Sequence, residues 1–418
     1  MNRGGWDVDA SYDRRSVPTV LFLGAGVSQL AAITHARASG LRVIAVDADP
    51  QAVGLVSADV AEPIDFTDFD RVVEVALRHR IDAVVAISTD RAVPIAAAVA
   101  DRLGLPGIGT ETARAMTDKA AMRMRLQEHG ILQPAFSLLN GSVDPSWQLE
   151  AVGVPAVLKP VDSGGQRGVY RITDQQQLTE HLPETLSHSR SGQAIVERFI
   201  EGNELNGIVV ARGGDPTLIT LSDRLRPPGI GFGVGWIHRY PSNLGSRQVE
   251  AAGEIALDAV RALGLRDGIA FPQLLVTDAG EVFVVEVAAR IPAGQMADLV
   301  RLGTGVDLVE IALAQALGKP VGDAMIEPRL HRPIAIRFLT ASPGTLPLGK
   351  VVSVEGLDRV RAAPGVLEAG LYIEIGETIR AVQVDADRRG YVIATADDAD
   401  AALELARRAS TRLRVHTV

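Results

Sequence analysis

The feature that most constrains this chain is the stretch Gly268–Gly294, in which a carboxylate stands inside a wall of apolar strand residues. Two apolar runs flank a turn at residues 277–280, and this pattern predicts a β-hairpin. The second run carries Glu286 among valines and is followed by Arg290. These charges either form a structural ion pair at a strand end or mark a place where a divalent cation and an anionic group meet.

The register expected for this hairpin puts polar side chains on one face. We expect Val276 to pair with Glu281 across the turn. This pairing sets Gln273 opposite Val284 and makes Glu286 the diagonal neighbour of Gln273. One face then presents an amide, a carboxylate and, further along at period two, a guanidinium.

The composition is that of an ordinary globular protein, with 47% hydrophobic and 22% charged residues among 418. A chain of this length is expected to form about two to four domains. The net charge of -9, without a basic patch, argues against binding to nucleic acid or to a membrane surface. The chain has no cysteine, which excludes disulfides, thiolate metal sites and cysteine nucleophiles. Residues 1–17 look like a polar, flexible arm and not a signal peptide, and no apolar run is long enough for a membrane span, so we expect a cytoplasmic protein.

The N-terminal part follows a β-α-β pattern that is typical of a doubly wound parallel sheet. An apolar strand from Thr19 leads into Gly24-Ala25-Gly26 and an Ala-rich helix, and a second strand ends at Asp47. This order also fits a dinucleotide-binding turn with an acidic ribose ligand. Gln29 stands where the third small residue of that fingerprint belongs, so a tight turn with a general anion-binding edge is the alternative.

Glycine, proline and aspartate outline the remaining elements. Thr117 or Asp118 is expected to cap one helix, and an aspartate to cap the last one. Residues 227–241 are unusually rich in glycine, and residues 298–317 alternate helix and turn. Predicted helices cover about residues 70–80, 93–103, 118–130, 248–263 and 398–413, and predicted strands of the last part cover about residues 334–339, 370–375 and 390–395.

A lysine at a strand end is the strongest candidate for phosphate binding. Lys159 closes a short apolar strand and is followed by Pro160 and a glycine-rich loop at residues 163–168. The ammonium group and the backbone N–H groups of such a loop can approach the same phosphate oxygens. The alternative is a solvated lysine beside a hairpin turn.

A second candidate segment is Glu197-Arg198-Phe199-Ile200, at the end of another predicted strand. Its backbone can pair with an adenine edge, while its carboxylate can take the adenine amino group or a ribose hydroxyl. Glu204 follows a short turn later. Asp278 and Glu281, by contrast, are interpreted as solvated turn residues.

Taken in order, four motifs resemble the ATP-grasp superfamily, and in particular its carboxylate-amine ligases. The motifs are D-K-x-x-x-R-x-x-L-x-x-x-G-I from Asp118, L-K-P with its glycine loop, V-E-R-F-I-E-G-N-E from Val196, and E-V-A-A-R-I-P-A-G from Glu286. The resemblance covers about residues 19–418, and the tail is similar to the C-terminal portion of amino-acid ligases and biotin-carboxylase-like enzymes.

This resemblance implies an α/β fold of ATP-grasp architecture. The expected parts are an N-terminal doubly wound parallel-sheet domain, two α+β lobes that clamp ATP, and a C-terminal α+β portion. The expected boundaries are a flexible arm at 1–17, the N-terminal domain at 18–115, the small lobe at 116–204, the large lobe with the metal and substrate site at 205–325, and the C-terminal portion that completes the large lobe at 326–418.

The resemblance also implies a nucleotide site. Lys119 and Lys159 would hold the α- and β-phosphates, and the glycine loop would close over the β- and γ-phosphates. Glu204 would lie near the ribose. The full implied set is Lys119, Lys159, Ser163, Gly164, Gly165, Gln166, Gly168, Glu197, Phe199, Ile200 and Glu204.

The implied cofactors are ATP and Mg²⁺, with Mn²⁺ as a possible substitute. Gln273 and Glu286 stand where relatives have two acidic magnesium ligands, and Ala288 stands where they usually have asparagine. One charged ligand therefore remains, although Gln273 can coordinate through its amide oxygen and ATP supplies most of the oxygens. Arg290 matches the arginine that steadies the acyl phosphate and its tetrahedral successor.

The resemblance places substrate-reading residues around the glycine-rich segment. His238 lies shortly before Pro241, either as a substrate contact that accepts a proton from the amine or as an ordinary surface histidine. Arg224 and Arg226 either bind an amino-acid carboxylate or are merely solvated. The residues implied in substrate binding are Arg224, His238, Arg290 and Gly294, and those implied in catalysis are Arg290, Lys159 and His238.

The implied reaction forms an amide, of the peptide or γ-glutamyl type, between an amino-acid carboxylate and the amine of a second amino acid. It would proceed through an acyl phosphate and release ADP and phosphate. The partners would be small amino-acid substrates, and a homodimer is the expected assembly because relatives are commonly dimers.

Three alternatives remain. A purine-pathway enzyme that formylates or carboxylates an amine is the nearest, although no extra set of phosphate-binding Arg and Lys is evident near the substrate lobe. An NAD-dependent oxidoreductase would leave Lys159 and the glycine loop unexplained. A non-catalytic nucleotide sensor would account for Gln273 and Ala288.

Overall fold

The computed structural model describes residues 17–140, 145–226 and 234–418. The predicted flexible arm, apart from its last residue, lies outside the described residues. Residues 227–233, the first half of the glycine-rich segment, also lie outside them. Within the described ranges, no helix is both long enough and apolar enough to cross a bilayer.

The N-terminal part forms a four-stranded parallel sheet in the order β3-β2-β1-β4. Residues 20–23 of its central strand are at most 1% exposed because helices cover both faces, and this burial explains the continuous apolar run. The elements are β1 (Thr19–Leu23), α1 (Val27–Ala38), β2 (Arg42–Val46), α2 (Val53–Ser57), β3 (Val60–Glu62), α3 (Phe69–His79), β4 (Ala83–Ala86) and α4 (Ala92–Leu103).

Two helices lead into a second sheet, which is antiparallel in the order β5-β8-β6-β7. Asp118 caps the second of these helices, as predicted, and its side chain accepts a hydrogen bond from the Ala121 amide at 2.9 Å. The elements are α5 (Thr110–Ala115), α6 (Lys119–Glu128), β5 (Phe136–Leu139), α7 (Ser146–Val152), β6 (Ala156–Pro160), β7 (Tyr170–Ile172), α8 (Gln175–Ser187) and β8 (Ala194–Arg198).

The register of this second sheet brings two predicted site residues together. Lys159 pairs with Ile195, so Glu197 is the diagonal neighbour of Lys159 on the same face. The apolar side chains of the sheet pack against α7 and α8.

The remaining chain builds a large sheet in the order β13-β12-β9-β10-β11-β14-β18-β16. The first half of this part of the chain contains β9 (Asn203–Arg212), β10 (Asp215–Leu225), β11 (Ile237–Tyr240), α9 (Ser246–Ala262), β12 (Gly268–Val276), β13 (Val282–Ala288), α10 (Met296–Thr304), α11 (Leu308–Ala316) and α12 (Asp323–Ile326). The second half of this part of the chain contains β14 (Ile334–Phe338), β15 (Gly349–Glu355), α13 (Leu357–Arg361), β16 (Val366–Leu371), β17 (Thr378–Ile379), a 3₁₀ turn (Asp385–Asp387), β18 (Gly390–Ala394), α14 (Ala399–Ser410) and β19 (Arg414–Thr417). Strands β17, β15 and β19 form a separate three-stranded sheet in that order. The C-terminal strands β14, β16 and β18 thus extend the same sheet as β12 and β13.

The hairpin of β12 and β13 has a different register from the one we expected. Val276 pairs with Val282, and a β-bulge then places Gln273 directly opposite Glu286. The expected pairings of Val276 with Glu281 and of Gln273 with Val284 are both wrong, because the turn shifts the register by one residue and the bulge shifts it by one more. The correction brings the amide and the carboxylate closer than a diagonal pair.

The strand predicted at 370–375 is also shifted, since β16 ends at Leu371. Leu371 pairs with Gly390, the first residue of β18, so the ladder ends where the partner strand begins. Tyr372, the next residue, lines the cleft of about 750 Å³ that is described below as the outer cleft.

Candidate active site

A cleft of about 360 Å³ lies between the antiparallel sheet of β5, β6, β7 and β8 and the hairpin of β12 and β13. We call it the inter-lobe cleft. The predicted nucleotide and metal residues that line it are Lys119, Lys159, Ser163, Gly164, Gly165, Gln166, Glu197, Phe199, Ile200, Glu204, Gln273 and Glu286. Gly168 is the exception in the nucleotide set. It lies at the base of the loop, where its carbonyl accepts a hydrogen bond from the Thr185 hydroxyl at 3.0 Å.

Lys159 is a buried lysine, only 6% exposed, and not the solvated side chain of the alternative interpretation. Its ammonium lies 2.8 Å from Oε2 of Glu197. Burial lowers the pKa of Lys159, with a further decrease from nearby Arg123 and Lys119 that the Glu197 carboxylate partly offsets. A desolvated ammonium at the wall of a cleft interacts strongly with an entering anion.

The Glu197 carboxylate is held by two cations and is not free to take an adenine amino group or a ribose hydroxyl. Besides Lys159, it accepts hydrogen bonds from Arg123 Nε at 2.9 Å and Nη2 at 3.1 Å. Burial by itself would raise the pKa of Glu197, but Arg123 and Lys159 lower it to about 2. Glu197 therefore positions Lys159.

Lys119 links the glycine loop to the metal candidate. Its ammonium donates to the Ser163 carbonyl at 2.8 Å and lies 3.5 Å from Oε1 of Glu286. The helix cap at Asp118 fixes the start of α6, so this lysine enters the cleft from a rigid element. The loop, the lysine and the carboxylate thus converge on one end of the cleft.

Gln273, which is half-buried, hydrogen-bonds to a buried amide and through it to a buried imidazole. Its Nε2 donates to Asn206 Oδ1 at 3.4 Å, and Asn206 Nδ2 in turn donates to His238 Nδ1 at 3.2 Å. Because the Gln273 amide nitrogen is used in this chain, its oxygen remains for a cation. Asn206, only 1% exposed, is a site residue that no sequence motif indicated.

The donor set fits a hard cation that shares its ligands with a phosphate chain. In the described part of the chain, no three His, Cys, Asp or Glu side chains cluster as a metal site. The protein therefore offers one carboxylate, from Glu286, and one amide oxygen, from Gln273. Mg²⁺ prefers this arrangement because it is usually bound through one or two carboxylates plus substrate phosphates.

His238 is buried at 4% exposure on β11, so it is not an ordinary surface histidine. Burial, together with the charges of Arg388 and Arg224, lowers the pKa of His238 well below its usual value. Since Nδ1 accepts from Asn206, the proton of the neutral ring lies on Nε2. The ring can donate a hydrogen bond there, and the expectation that it accepts a proton from the amine does not fit this tautomer.

A pocket of about 130 Å³, the junction pocket, adjoins the inter-lobe cleft and shares Gln273 and Glu286 with it. It opens into an outer cleft of about 750 Å³. Arg290 lines both of these spaces. Predicted substrate residues Arg224 and His238 line the junction pocket, while Gly294 lines the outer cleft.

Arg290 is paired with Asp90, and not with Glu286 as the structural interpretation of the hairpin required. Arg290 Nε lies 2.6 Å from Asp90 Oδ1, and Nη2 lies 2.8 Å from Oδ2. Asp90 follows β4 of the N-terminal sheet, at the carboxyl end of a parallel strand, where ligand-binding residues collect in such sheets. Burial would raise the pKa of Asp90, but Arg290 and Lys119 lower it below its usual value.

The C-terminal part contributes Arg388, a residue that no sequence motif indicated. Its guanidinium stacks 4.2 Å from the Phe338 ring centroid and lies 2.5 Å from Asp385. Within the described residues, its Nε has no hydrogen-bond partner although it is buried. Gly294 has a left-handed φ of 75°, and a Cβ there would lie 3.2 Å from Arg388 Nη1. Only glycine fits this conformation and this approach without strain.

Arg224 and Arg226 are not merely solvated. Arg224 Nη1 lies 2.6 Å from Glu204, which also pairs with Arg226. Glu204 therefore lies at the mouth of the inter-lobe cleft with its charge shared between two arginines. Glu204, predicted to lie near the ribose, thus forms one cluster with Arg224 and Arg226, which were candidates for binding an amino-acid carboxylate.

Asp47, which the dinucleotide interpretation takes as the ribose ligand, is already hydrogen-bonded to the backbone of its own region. The Asp47 carboxylate accepts hydrogen bonds from the Ala25 amide at 2.8 Å and the Asp49 amide at 3.0 Å. Gln29, in place of a third small residue, donates to the Ile87 carbonyl at 2.7 Å. Asp47 thus closes the turn itself, and Gln29 connects the first helix to the residue that follows β4.

Comparison with known proteins identifies the class that this fold and site define. Residues 118–323 match the family model of the carbamoyl-phosphate synthase L chain, ATP binding domain, and residues 337–418 match that of L-amino acid ligase C-terminal domain 2. These matches show the similarity of this chain to the ATP-dependent ligases of the ATP-grasp superfamily. The resemblance and the ATP-grasp architecture that the sequence motifs predicted are thereby confirmed.

Individual relatives cover most of the chain. A protein from Sinorhizobium fredii named y4rH is 28% identical over 96% of this chain and 84% of its own length. A formate-dependent phosphoribosylglycinamide formyltransferase from Ignicoccus hospitalis is 27% identical over 94% of this chain and 95% of its own.

Solved structures show the same fold at lower identity. The L-amino acid ligase from Bacillus licheniformis aligns with a TM-score of 0.82 at 21% identity, over 97% of this chain and 100% of that one. The biotin carboxylase domain of the Hydrogenobacter thermophilus 2-oxoglutarate carboxylase, solved with MgADP, aligns with a TM-score of 0.77 at 18% identity, over 95% and 90%. ATP-grasp relatives therefore use ATP with Mg²⁺.

Proposed function

We propose that this chain is an ATP-dependent ligase that joins an amino-acid carboxylate to the amine of a second amino acid. The observation that carries this proposal is the position of Arg290, which lines the junction between a nucleotide-sized cleft and a second, larger cleft. A group at that junction can contact both a transferred phosphoryl group and the carboxylate that receives it. The match of residues 337–418 to an L-amino acid ligase domain supports the choice of substrate class.

In the first half-reaction, an oxygen of the substrate carboxylate attacks the γ-phosphorus, and the bond to ADP breaks. Phosphoryl transfer needs alignment and charge neutralisation more than covalent help. Lys159 and Lys119 provide two ammonium groups from rigid elements for the phosphate chain. Glu286 and Gln273 would hold Mg²⁺, which would supply further neutralisation of the developing charge.

In the second half-reaction, the amine nitrogen attacks the acyl carbon. The bond between that carbon and the phosphate oxygen then breaks, and phosphate leaves with the electron pair. The tetrahedral oxygen gains negative charge in this step. Arg290, held by Asp90, and the Nε2–H of neutral His238 are donors that line the junction pocket where this oxygen would form. The amine loses its proton to water or to the departing phosphate and not to His238.

Water must be kept from the acyl phosphate, and the loop 163–168 is placed for this role. Gly164 and Gly165 line both the inter-lobe cleft and the outer cleft. The base of the loop is fixed by Asp162, which accepts hydrogen bonds from the amides of Arg190 and Ser191 at 3.1 and 3.0 Å. A loop anchored at its base and rich in glycine above it can open and close over the reacting groups.

A formylating or carboxylating enzyme of the purine type is the second candidate, because a specific observation favours it. Five arginines from distant parts of the chain surround the outer cleft, although no such set was evident in the sequence. They are Arg91, Arg167, Arg290, Arg388 and Arg389. This surrounding suits a substrate phosphate as well as a carboxylate. The Ignicoccus formyltransferase is a relative with such a substrate in its name.

One assay separates the two candidates. The protein is incubated with ATP and Mg²⁺, in one series with pooled amino acids and in another with phosphoribosylglycinamide and formate, and the products are identified by mass spectrometry. The ligase proposal expects ADP together with a condensed amino-acid product in the first series. ADP formation confined to the second series would establish the formylating alternative, and AMP or NADH-linked turnover would reject both. A homodimer and a cytoplasmic location remain predictions.

A further inference from the structure

Arg123 is a fully buried arginine, 1% exposed, that does not line the inter-lobe cleft. It lies on α6, four residues after Lys119 and therefore near it on the helix surface. A guanidinium has five N–H donors, and its charge needs compensation when buried. The structure supplies partners for Arg123 from two different sheets.

On the side of the antiparallel sheet that contains β8, Arg123 forms a bidentate ion pair with Glu197, at 2.9 and 3.1 Å. The same carboxylate lies 2.8 Å from the ammonium of Lys159. One negative charge is thus shared between two cations, so the three groups together retain a net positive charge beside the cleft. Without Arg123, Glu197 would neutralise Lys159 alone.

On the side of the large sheet, Arg123 donates to two backbone carbonyls of β13, those of Val284 at 3.2 Å and Val285 at 2.6 Å. Strand β13 is the edge of its sheet, so it lacks a neighbouring strand on one side. The next residue is Glu286, and after it the Val287 amide lies 3.4 Å from Met122 Sδ. Helix α6 therefore holds β13 on both sides of Glu286.

We propose that Arg123 is a positioning residue that couples the two halves of the nucleotide site. Through Glu197 it sets the charge that Lys159 presents to the nucleotide, and through the β13 carbonyls it holds Glu286 in place for the divalent cation. The inference rests on the proposed function only in that the cleft binds a nucleotide with Mg²⁺. It does not depend on which carboxylate and amine are joined.

The test measures ADP binding by calorimetry, with and without Mg²⁺, to the full chain and to Arg123→Met and Arg123→Lys. Arg123→Met is expected to weaken metal-free ADP binding about 10- to 100-fold and to raise the Mg²⁺ concentration that half-saturates the ADP-bound protein by a similar factor. A lysine can pair with Glu197 but cannot also reach both carbonyls. Arg123→Lys is therefore expected to recover most of the metal-free ADP affinity while the Mg²⁺ requirement stays high.

Arg125→Met is the matched control. Arg125 lies on the same helix and donates to the Ala262 carbonyl at 3.1 Å, away from the cleft, so its replacement should leave both binding quantities unchanged. If Arg123→Met does not fold, the split expected of Arg123→Lys still decides the matter. Recovery of both quantities by lysine, or a lowered melting temperature with both quantities unchanged, would overturn the inference.

Failure of this inference and failure of the ligase proposal can be told apart. If the wild-type chain binds ADP with the expected pattern of variants but forms no condensed product, the ligase proposal fails and the role of Arg123 stands. If the wild-type chain binds no ADP, the role of Arg123 fails as well.

Discussion

Asp90 and Arg290, 200 positions apart in the chain, form a two-point ion pair at 2.6 and 2.8 Å. The pair joins the end of strand β4 to the segment that follows β13. It also explains why Arg290 can stay fixed beside the cleft, since a bidentate carboxylate determines the plane of a guanidinium. The N-terminal sheet therefore has a direct part in the site, although the family motifs lie outside it.

Replacing Asp90 by asparagine should release Arg290 without changing the nucleotide cleft. We expect kcat for product formation to fall about 100-fold, because a small misplacement of a catalytic group has an effect of this order. ADP affinity should stay within error of wild type. Steady-state kinetics with calorimetry would check this. Asp70→Asn, at an exposed position on α3, is the control. An unchanged kcat in the Asp90 variant would remove Asp90 from the site.

Glu286 and Arg290 should be essential for ADP formation. Glu286→Gln and Arg290→Ala are expected to lower turnover about 100-fold or more, as the loss of a preorganised charge in an active site does. Circular dichroism should show an intact fold in both variants. Glu281→Gln, at the exposed start of the same hairpin arm, serves as control, and wild-type turnover in either site variant would contradict the assignment.

Loss of the Lys159 ammonium should weaken nucleotide binding. For Lys159→Ala we expect about 10- to 100-fold lower affinity for ATP, since hydrogen bonds to charged groups contribute about 1.5–3 kcal/mol each. Calorimetric titration of ATP into the variant measures this directly. Lys350→Ala, an exposed lysine on β15, should bind ATP as wild type does, and equal affinities for all three proteins would exclude Lys159 from the phosphate site.

The Glu197 network predicts a pH-dependent contribution to stability. The pKa of Glu197 is lowered from its ordinary value of 4.5 to about 2 in the folded chain, because Arg123 and Lys159 outweigh the effect of burial. A group with a lowered folded pKa stabilises the fold fully above its unfolded pKa and loses this contribution as the pH falls through the folded value. Glu197→Gln should therefore be about 3 kcal/mol less stable than wild type at pH 7. Denaturant unfolding should show this difference unchanged down to about pH 5 and shrinking toward pH 2; a difference independent of pH over that range would argue against an ionised Glu197.

His238 should act as a neutral hydrogen-bond donor. Because burial and two neighbouring arginines keep its pKa well below the usual range, the ring stays uncharged from neutral pH down through 6.5. We expect the wild-type pH–rate profile to lack an ionisation of His238 in that range. His238→Gln, which keeps an N–H donor, should retain more activity than His238→Ala. Ring chemical shifts of a protonated imidazole at pH 6.5 would contradict this.

Local patterns predicted much of the fold. The parallel strand around Leu21, the cap at Asp118 and the turn before Glu281 all follow from short-range periodicity and from backbone groups that need nearby partners. The same is true of Lys159, since a lysine directly before a bend and a glycine loop is recognisable without tertiary information. The hairpin register was missed because the turn and a bulge each shift the pairing by one residue, and the alternation of apolar residues reveals neither shift.

The sequence by itself determined which chemical groups this protein carries and the order in which strands, loops and helices present them. Only the tertiary structure decided how those groups are paired. Arg290 joins Asp90 and not Glu286, Glu197 holds Arg123 and Lys159, and Arg388 reaches the outer cleft from the C-terminal part. The physical reason is that these ion pairs form between groups that the packing of whole sheets brings together. Contacts between residues so far apart in the chain cannot be predicted from local periodicity.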